Sequence, residues 1–291
     1  MMQTPYYCEL ENHGVIAVTG QDRLSFLNGQ FTQDMSQFEH GGSGFSAYCN
    51  PKGRVIALFY VLSDGVKVYL IVEKSLKDKV LQRLRMFVLR ADVKLEDVSE
   101  SMGVLGIVTT EPARSKYVIP VPASAQRGIL VYEKQETVSS VLNAAGHSRW
   151  EQMSPDQWNL QDIVEGQPIV NQNTSEQFVA QALNLDALNA ISFTKGCYVG
   201  QEIVARMHYL GKKRQQMMYA VLENDDLQSG DALRTPEGEK VAEVVSISKQ
   251  RGKVEVQLST QELERVKLHP QVREIAAYPY LEALQAQTEK G

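Results

Sequence analysis

Residues 55–72 read Val-Ile-Ala-Leu-Phe-Tyr-Val-Leu-Ser-Asp-Gly-Val-Lys-Val-Tyr-Leu-Ile-Val. Two apolar runs rich in β-branched residues, 55–62 and 66–72, lie on either side of the turn Ser63-Asp64-Gly65. Apolar runs that flank a short glycine-containing turn are typical of a β-hairpin. The stretch therefore predicts two paired strands.

Helical patterns appear on both sides of this hairpin. Before it, a β-rich run at 15–18 precedes apolar residues at helical spacing over 24–31. After it, Ser75 can cap a helix over 76–88, and 91–95 is extended again. The succession predicts the β-α-β-β-α-β order of a ferredoxin-like unit, and hence an α+β fold.

The rest of the chain predicts two further units. A second αβ unit is indicated by two strand patterns and one helical pattern, at 103–108, 127–133 and 138–145. Beyond Gly211 the pattern changes to short β-like runs separated by glycines, which is typical of a small all-β domain. We therefore expect an αβ region over 1–210, divided near residue 100, and a small β-domain with a polar tail over 211–291.

Composition and charge exclude several classes of protein. The 291 residues are 43% hydrophobic and 22% charged, which is typical of a globular protein and not of a disordered one. The apolar run 55–62 is far shorter than the roughly 20 residues that span a bilayer, so no membrane segment is expected. A net charge of −5 disfavours strong non-specific binding to nucleic acid.

Cysteine and histidine spacings give no metal site. Cys8, Cys49 and Cys197 form no CxxC pair, and the five histidines show no HxH or HExxH spacing. Three scattered thiols fit a reducing compartment, and the N-terminus lacks a basic and apolar leader pattern. We therefore expect a cytoplasmic protein without a bound metal.

Cys197 is the cysteine that the sequence places best for reaction. Apolar residues recur at helical spacing from Val199 onward, so Cys197 is expected just before or within the first turn of a helix. A helix N-terminus and the nearby Lys195 both lower the pKa of a thiol. The alternative is that Cys197 is a buried packing residue and that Gly196 and Gly200 only permit a tight turn.

The segment Lys195-Gly196-Cys197-Tyr198-Val199-Gly200-Gln201-Glu202 resembles the signature K-G-C-[YF]-x-G-Q-E of the YgfZ family. Its members are folate-binding, tRNA-modification-related proteins and relatives of the glycine-cleavage T-protein. All seven specified positions match. Further matches extend through nearly all of the chain, within 20–34, at Lys52-Gly53-Arg54, Arg90, Gly166, Pro168 and Asn184-Leu185, and from Gly211 to Arg214.

The resemblance implies both a fold and a cofactor. The fold would be two interlocked ferredoxin-like αβ units plus a C-terminal β-barrel around a central channel that takes tetrahydrofolate or a related reduced folate. By position, His13 and Trp158 would contact the folate, and some relatives have Trp where this chain has His13. The start Ser154-Pro155-Asp156-Gln157 places Trp158 in the first turn of a helix, where its ring can stack on a pterin or simply pack in the core.

One departure from the T-protein pattern bears on catalysis. Aminomethyl transfer would require an acidic pair shortly after Lys52-Gly53-Arg54, where this chain has Ala57 and Leu58. Without a general base there, ordinary aminomethyltransferase chemistry is not expected. A folate-dependent one-carbon (aminomethyl) transferase with other acid–base residues stays open as the alternative, and so does a direct tRNA binder.

The leading hypothesis is a folate-binding accessory protein that supports iron–sulfur enzyme assembly or repair and thereby tRNA methylthiolation. Its partners would be folate and iron–sulfur enzymes or assembly proteins, with tRNA contact indirect. Cys197 would supply the reactive thiol, with Lys195 and Arg206 orienting it or an acidic ligand. A basic stretch formed by Arg206, His208 and residues 212–214 either receives the folate glutamate tail or a partner's acidic surface, or is a solvated helix end.

Overall fold

The structure is a computed structural model that describes residues 4–109, 117–147, 149–210, 215–223, 225–250 and 252–281. Its strands are β1 (Tyr6–Glu9), β2 (His13–Thr19), β3 (Gly42–Cys49), β4 (Val55–Ser63), β5 (Val68–Glu73), β6 (Lys94–Asp97), β7 (Met102–Val108), β8 (Val118–Pro120), β9 (Arg127–Glu133), β10 (Glu151–Gln152), β11 (Gln216–Leu222), β12 (Ala232–Arg234), β13 (Lys240–Gln250), β14 (Lys253–Thr260) and β15 (Val272–Ala276). Its α-helices are α1 (Arg23–Gln30), α2 (Lys74–Phe87), α3 (Val138–Ala144), α4 (Pro155–Glu165), α5 (Gln201–Leu210) and α6 (Leu263–Lys267). Short 3₁₀ helices span Met35–Phe38 and Ala180–Leu183.

The first sheet has the strand order β3-β4-β5-β2-β6 and is antiparallel throughout. It contains the predicted hairpin as β4 and β5, and the predicted β-α-β-β-α-β succession as β2, α1, β4, β5, α2 and β6. Every residue of β4 is buried, which explains its unbroken apolar run. Strand β3 at the sheet edge was not predicted, because its glycines and serines give no apolar alternation.

The second sheet has the order β10-β1-β7-β9-β8. Its strands β7 and β9 and its helix α3 lie within a residue of the predicted ranges. The chain's first strand, β1, lies here beside β7 and not in the first sheet, so the N-terminus and the segment after residue 100 share one sheet. The predicted division near residue 100 and the interlocking of two units stay predictions.

The third sheet corrects the prediction of a C-terminal β-barrel. Its order is β12-β13-β14-β11-β15, and in the part of the chain that the structure describes its edge strands β12 and β15 do not pair with each other. Strand β12 has only three residues, and the side chain of Val266 on α6 joins the apolar core of this sheet. Over the described residues this sheet is therefore open, and α6 packs against its apolar core. The predicted boundary at Gly211 lies outside the described residues, and so does the predicted polar tail over 281–291 apart from Leu281, which is buried.

Local signals explain two helices that matter for the site. Helix α4 begins at the predicted capping box, in which the Ser154 hydroxyl accepts from the Gln157 backbone N–H at 3.2 Å and the Gln157 side chain accepts from the Ser154 N–H at 2.9 Å. Helix α2 buries Leu76, Val80, Leu81 and Leu84 as predicted. Its cap is Glu73, however, because the Glu73 carboxylate accepts from the Ser75 N–H at 2.8 Å, so Ser75 is not the N-cap.

Candidate functional site

One cleft brings together the two residues expected to contact folate, His13 and Trp158. It lies between the first sheet and α4. The volume of this cavity is about 50 Å³, so a bicyclic ring could enter only if the lining side chains moved apart. The remaining lining residues are Asn12, Phe45, Leu58, Tyr60, Ile71, Glu73, Asn159, Asp162, Gln167, Pro168, Ile169 and Val170.

Trp158 is held firmly in the cleft wall. It lies in the first turn of α4, as predicted, and its side chain is 2% exposed. The guanidinium of Arg127 lies 4.0 Å from the centre of its ring, a cation–π contact. Strand β7 approaches the same ring closely at Gly106, where any side chain would collide with the indole. Trp158 is therefore both a packing residue and a boundary of the cleft.

His13 is the first residue of β2, and its imidazole is uncharged at neutral pH. His13 is half-buried, and loss of hydration around its ring lowers its pKa to about 4, because the imidazolium is the form that needs that hydration. The ring Nδ1 lies 3.0 Å from the Asn12 side-chain oxygen, so in the neutral ring Nδ1 carries the proton that it donates. The other ring nitrogen is then an acceptor.

A buried ion-pair network adds a charged group to the cleft wall. Arg127 is fully enclosed, donates to the Asp162 carboxylate and pairs with Glu165 at 2.9 Å. Burial raises the pKa of Asp162 to about 6, although the Arg127 guanidinium opposes that rise. Asp162 is therefore an anion in the cleft wall at neutral pH, and it can accept hydrogen bonds or take a proton.

Gln167 adds a hydrogen-bond donor to the same wall. It is 2% exposed, and its side-chain nitrogen Nε2 is a buried donor without a partner among the described residues. Its side-chain oxygen accepts from the Ala123 backbone N–H at 3.4 Å. An unpaired buried donor costs about 1–3 kcal/mol, so the cleft holds a group suited to an acceptor that enters from outside.

Lys195 belongs to the interior of the protein. Its ammonium group donates to three backbone carbonyls, those of Asn28 at 2.6 Å, Phe31 at 2.7 Å and Gln33 at 3.0 Å. Burial lowers the pKa of Lys195 to about 8, since the charged form is poorly hydrated there. Lys195 thus fastens the loop before α5 to the end of α1. Its predicted action on Cys197 stays a prediction.

Cys197 is exposed on that loop, four residues before α5 begins. Tyr198 beside it is buried, and its backbone N–H donates to the Gln201 side chain at 3.3 Å. Gly200 has a left-handed φ of +85° and lies against the Asn50 backbone. The motif therefore holds one exposed thiol on a loop whose neighbouring side chains are anchored.

The rest of the motif lies on the surface of α5. Glu202 and Arg206 form an exposed pair at 2.9 Å, one helical turn apart. Such a pair contributes at most about 0.5 kcal/mol. The imidazole of His208 stacks on Phe193 with ring centres 3.7 Å apart. Residues 212–214 of the predicted basic stretch lie outside the described residues.

The structure does not join the thiol and the cleft in one pocket, because no residue of the 195–202 motif lines the cleft. At the positions where T-protein chemistry would need carboxylates, Ala57 is buried and Leu58 lines the cleft with an apolar side chain. Over the described residues, no group of three or more His, Cys, Asp or Glu side chains is arranged to hold a metal ion. No helix in the described ranges is long and apolar enough to cross a membrane.

Sequence reasoning missed Asp162, Gln167 and Arg127. Asp162 follows Trp158 by four residues, so the two share a face of α4, and that spacing is a usable signal. Gln167 stands between Gly166 and Pro168, which were noted as matches to the family pattern, but the residue between them was not singled out. Arg127 gives no local signal, since it is a charged residue at the start of an apolar strand.

Curated proteins with similar sequences carry the name tRNA-modifying protein YgfZ. The one from Hamiltonella defensa is 31% identical, and the match covers 81% of this chain and 73% of that protein. One from Yersinia pestis is 30% identical over 78% of this chain and 72% of its own, and one from Colwellia psychrerythraea is 29% identical over 73% and 70%. No protein-family model matches the chain.

A solved structure shares the fold. The glycine cleavage system aminomethyltransferase T from Bartonella henselae superposes with a TM-score of 0.57 at 12% sequence identity, covering 89% of this chain and 79% of the other. At this identity the likeness concerns the fold alone. It supports the mixed α+β architecture described above.

Proposed function

Because this chain belongs to the YgfZ family, we propose that it is a folate-binding accessory protein that supports the assembly or repair of iron–sulfur enzymes, including those that thiolate tRNA. The observation that carries the folate part is that His13 and Trp158, far apart in sequence, line one cleft. The curated relatives are named for tRNA modification, which supports the second part.

The chemistry of the cleft residues suits a reduced folate, whose ring would enter once the lining side chains had moved apart. Trp158 offers an aromatic surface to a pterin, and neutral His13 offers an acceptor nitrogen. Asp162 and Gln167 add a buried acceptor and a buried donor, of which the Gln167 donor has no partner in the described chain. A bound tetrahydrofolate would supply carriage of a one-carbon unit, while the chain's own residues bind and orient it.

Cys197 is the group that we assign to partner proteins. Its thiol is exposed, whereas the loop around it is fixed by Lys195, Tyr198 and Gly200. A thiol presented on a rigid, accessible loop suits transient contact with an iron–sulfur enzyme or assembly protein. Arg206 and the basic residues that follow α5 would receive the folate glutamate tail or an acidic partner surface.

Titration with tetrahydrofolate, followed by Trp fluorescence, tests the folate site. We expect saturable quenching that is lost in Trp158→Phe. Trp150 provides the control, because its indole N–H donates to Leu142 and His147 carbonyls away from the cleft. Unchanged affinity and quenching in Trp158→Phe would show that the folate site is not at this cleft.

Complementation tests the role of the thiol. In a strain that lacks its family member, Cys197→Ala should fail to restore tRNA methylthiolation and iron–sulfur enzyme activity while melting like the parent protein. Thr194→Ala, an exposed change on the same loop, is the matched control and should complement. Full complementation by Cys197→Ala would show that the thiol is not needed and that the 195–202 motif only forms a structural turn.

A folate-dependent one-carbon transferase is the second candidate, and Asp162 is the observation that favours it. An acid whose pKa lies near 6 in a ligand cleft is suited to proton transfer near neutral pH. Turnover of an aminomethyl donor with tetrahydrofolate, lost in Asp162→Asn, would establish this activity. Absence of turnover with saturating folate bound would reject it.

A further inference from the structure

Asp162 and Gln167 place an acceptor and a donor side by side in the cleft. Oxygen Oδ1 of Asp162 accepts from Arg127, and the carboxylate has a second oxygen that is also a hydrogen-bond acceptor. Nε2 of Gln167 is without a partner in the described ranges, and it is a buried atom. Both residues line the cleft beside Trp158.

The backbone fixes these two groups relative to each other. The Gln167 N–H donates to the Asp162 carbonyl at 2.8 Å. The side chain of Gln257, from β14, donates to the Asp162 carbonyl at 3.0 Å and to the Gln167 carbonyl at 2.9 Å. These hydrogen bonds fix the backbone of Asp162 relative to that of Gln167. The two side chains can therefore select a ligand by the order of donors and acceptors along its edge.

The orientation of the Gln167 amide is set by its other contact. Its oxygen faces the Ala123 backbone N–H, which is a donor. A flipped amide would bring two donors together there, so Nε2 is the end of the amide that is left for a ligand.

We propose that Asp162 and Gln167 read the 2-amino-4-oxo edge of a pterin, with the Asp162 carboxylate accepting from the 2-amino and N3–H groups and Gln167 Nε2 donating to the 4-oxo oxygen. This assignment rests on the proposed folate function and names the residues that give it specificity. A carboxylate matches two adjacent N–H donors, and an amide N–H matches a carbonyl. A heterocycle with an amino group at position 4 would set a donor against Gln167.

Folic acid and its 4-amino analogue, aminopterin, test this assignment because they share a tail and an oxidation state and differ at position 4. At pH 7.5, where Asp162 is ionised, we expect the wild-type chain to bind folic acid about tenfold or more tightly than the analogue. Gln167→Glu replaces the donor by an acceptor and should reverse the preference. Gln172→Glu, the same change at an exposed position, should keep the wild-type preference.

A second variant keeps the assignment testable if Gln167→Glu does not fold. Gln167→Met removes the donor without burying a charge, and it should weaken folic acid binding and abolish discrimination between the two compounds. Equal wild-type affinity for both compounds, or unchanged discrimination in Gln167→Met, would overturn the assignment while folate binding itself stands. If neither folic acid nor tetrahydrofolate binds to the wild-type chain, the proposed folate function falls as well.

Discussion

The three cysteines differ in environment, and their reactivity should differ accordingly. Cys197 is exposed, whereas burial raises the pKa of Cys8 to about 11 and that of Cys49 to about 12. Because the thiolate is the reacting form, alkylation of the native protein at pH 8 should modify Cys197 at least about 100-fold faster than the other two. Peptide mass spectrometry measures the rates. In urea all three should react alike, and rapid native labelling of Cys49 would contradict the structure.

Lys195 should contribute to folding through the three carbonyls that it binds. Lys195→Met removes the donor and leaves the carbonyls of Asn28, Phe31 and Gln33 without it, so we expect a loss of about 2–4 kcal/mol in the free energy of unfolding. Denaturant unfolding measures the loss. Lys52→Met, at an exposed lysine, should change stability by less than about 0.5 kcal/mol. Equal stability of the two variants would show that the buried ammonium contributes nothing to folding.

His13 should make stability depend on pH. Its pKa is about 4 in the folded protein and about 6.5 in the unfolded chain, so between these values the unfolded chain binds the extra proton and stability falls as pH falls. His13→Gln lacks this loss. The free energy of unfolding of His13→Gln minus that of wild type should therefore increase by roughly 1–3 kcal/mol as the pH is lowered from 7.5 to 4.5.

The difference between variants is the quantity to measure, because the raised pKa of Asp162 gives the opposite slope between about pH 4 and pH 6. His40→Gln, at an exposed histidine, is the control and should keep the wild-type profile. A constant difference between His13→Gln and wild type across this range would contradict the lowered pKa of His13.

The sequence predicted the local structure around Trp158 and Cys197 but gave no signal for the buried ion pair of the cleft wall. The capping box placed Trp158 in the first turn of α4, and the motif spacing placed Cys197 just before a helix. The pairing of Arg127 with Asp162 joins residues 35 positions apart. Such a pairing depends on how sheet and helix pack, and no local pattern encodes it.

At the scale of elements, the loop before α5 contains two glycines with different roles. A Cβ at Gly200 would lie 2.5 Å from the Asn50 carbonyl oxygen, on a backbone of φ +85°. A Cβ at Gly196 would meet nothing within 4 Å. Packing within this chain therefore requires glycine at position 200 and does not require it at position 196.

Alanine substitutions should separate the two roles. Gly200→Ala should cost at least about 2 kcal/mol in the free energy of unfolding, because strain and a backbone clash combine. Gly196→Ala should leave melting unchanged but reduce complementation, since a partner that reaches the Cys197 thiol must pass this open space. Full complementation by Gly196→Ala would show that the partner does not approach over Gly196.

Helices and strands with a strong apolar periodicity in the sequence were predicted well. Strands that form only because they pair with a neighbouring strand were not. Strand β9 was predicted at its observed bounds, and β4 and α2 nearly so, because each carries its own apolar pattern. Strands β3, β8 and β12 are short or rich in small residues, and they exist because a neighbouring strand offers hydrogen bonds. The predicted barrel was wrong for the same reason, since closure depends on edge pairing that periodicity does not record.

At the scale of the whole molecule, the C-terminal region completes the helix that carries the cleft. The last carbonyls of a helix have no partners within it. For α4 they accept from side chains distant in sequence: Tyr278 donates to the Ile163 carbonyl at 2.8 Å, and Tyr280 donates to the Gly166 carbonyl at 2.9 Å. Gln257 donates to the Asp162 and Gln167 carbonyls from the third sheet. The third sheet therefore positions the cleft without lining it.

Gln257→Leu, a substitution in the third sheet, should weaken ligand binding at the cleft. Gln257 is fully buried, and Ser246 donates to its side-chain oxygen at 2.7 Å, so its amide is held toward α4. Leucine removes the side-chain donor from both carbonyls. The Asp162 carbonyl keeps the Gly166 and Gln167 backbone N–H donors, whereas the Gln167 carbonyl loses this side-chain donor, so the change should cost about 1–3 kcal/mol in stability and weaken tetrahydrofolate binding about tenfold or more. Thr260→Val is the matched control, because it removes a buried hydrogen bond to the Val241 carbonyl at 2.7 Å that lies wholly within the third sheet. That variant should lose stability but keep wild-type affinity. Equal affinity losses in both variants would mean that the third sheet affects binding only through global stability, whereas a loss confined to Gln257→Leu would establish the link to α4.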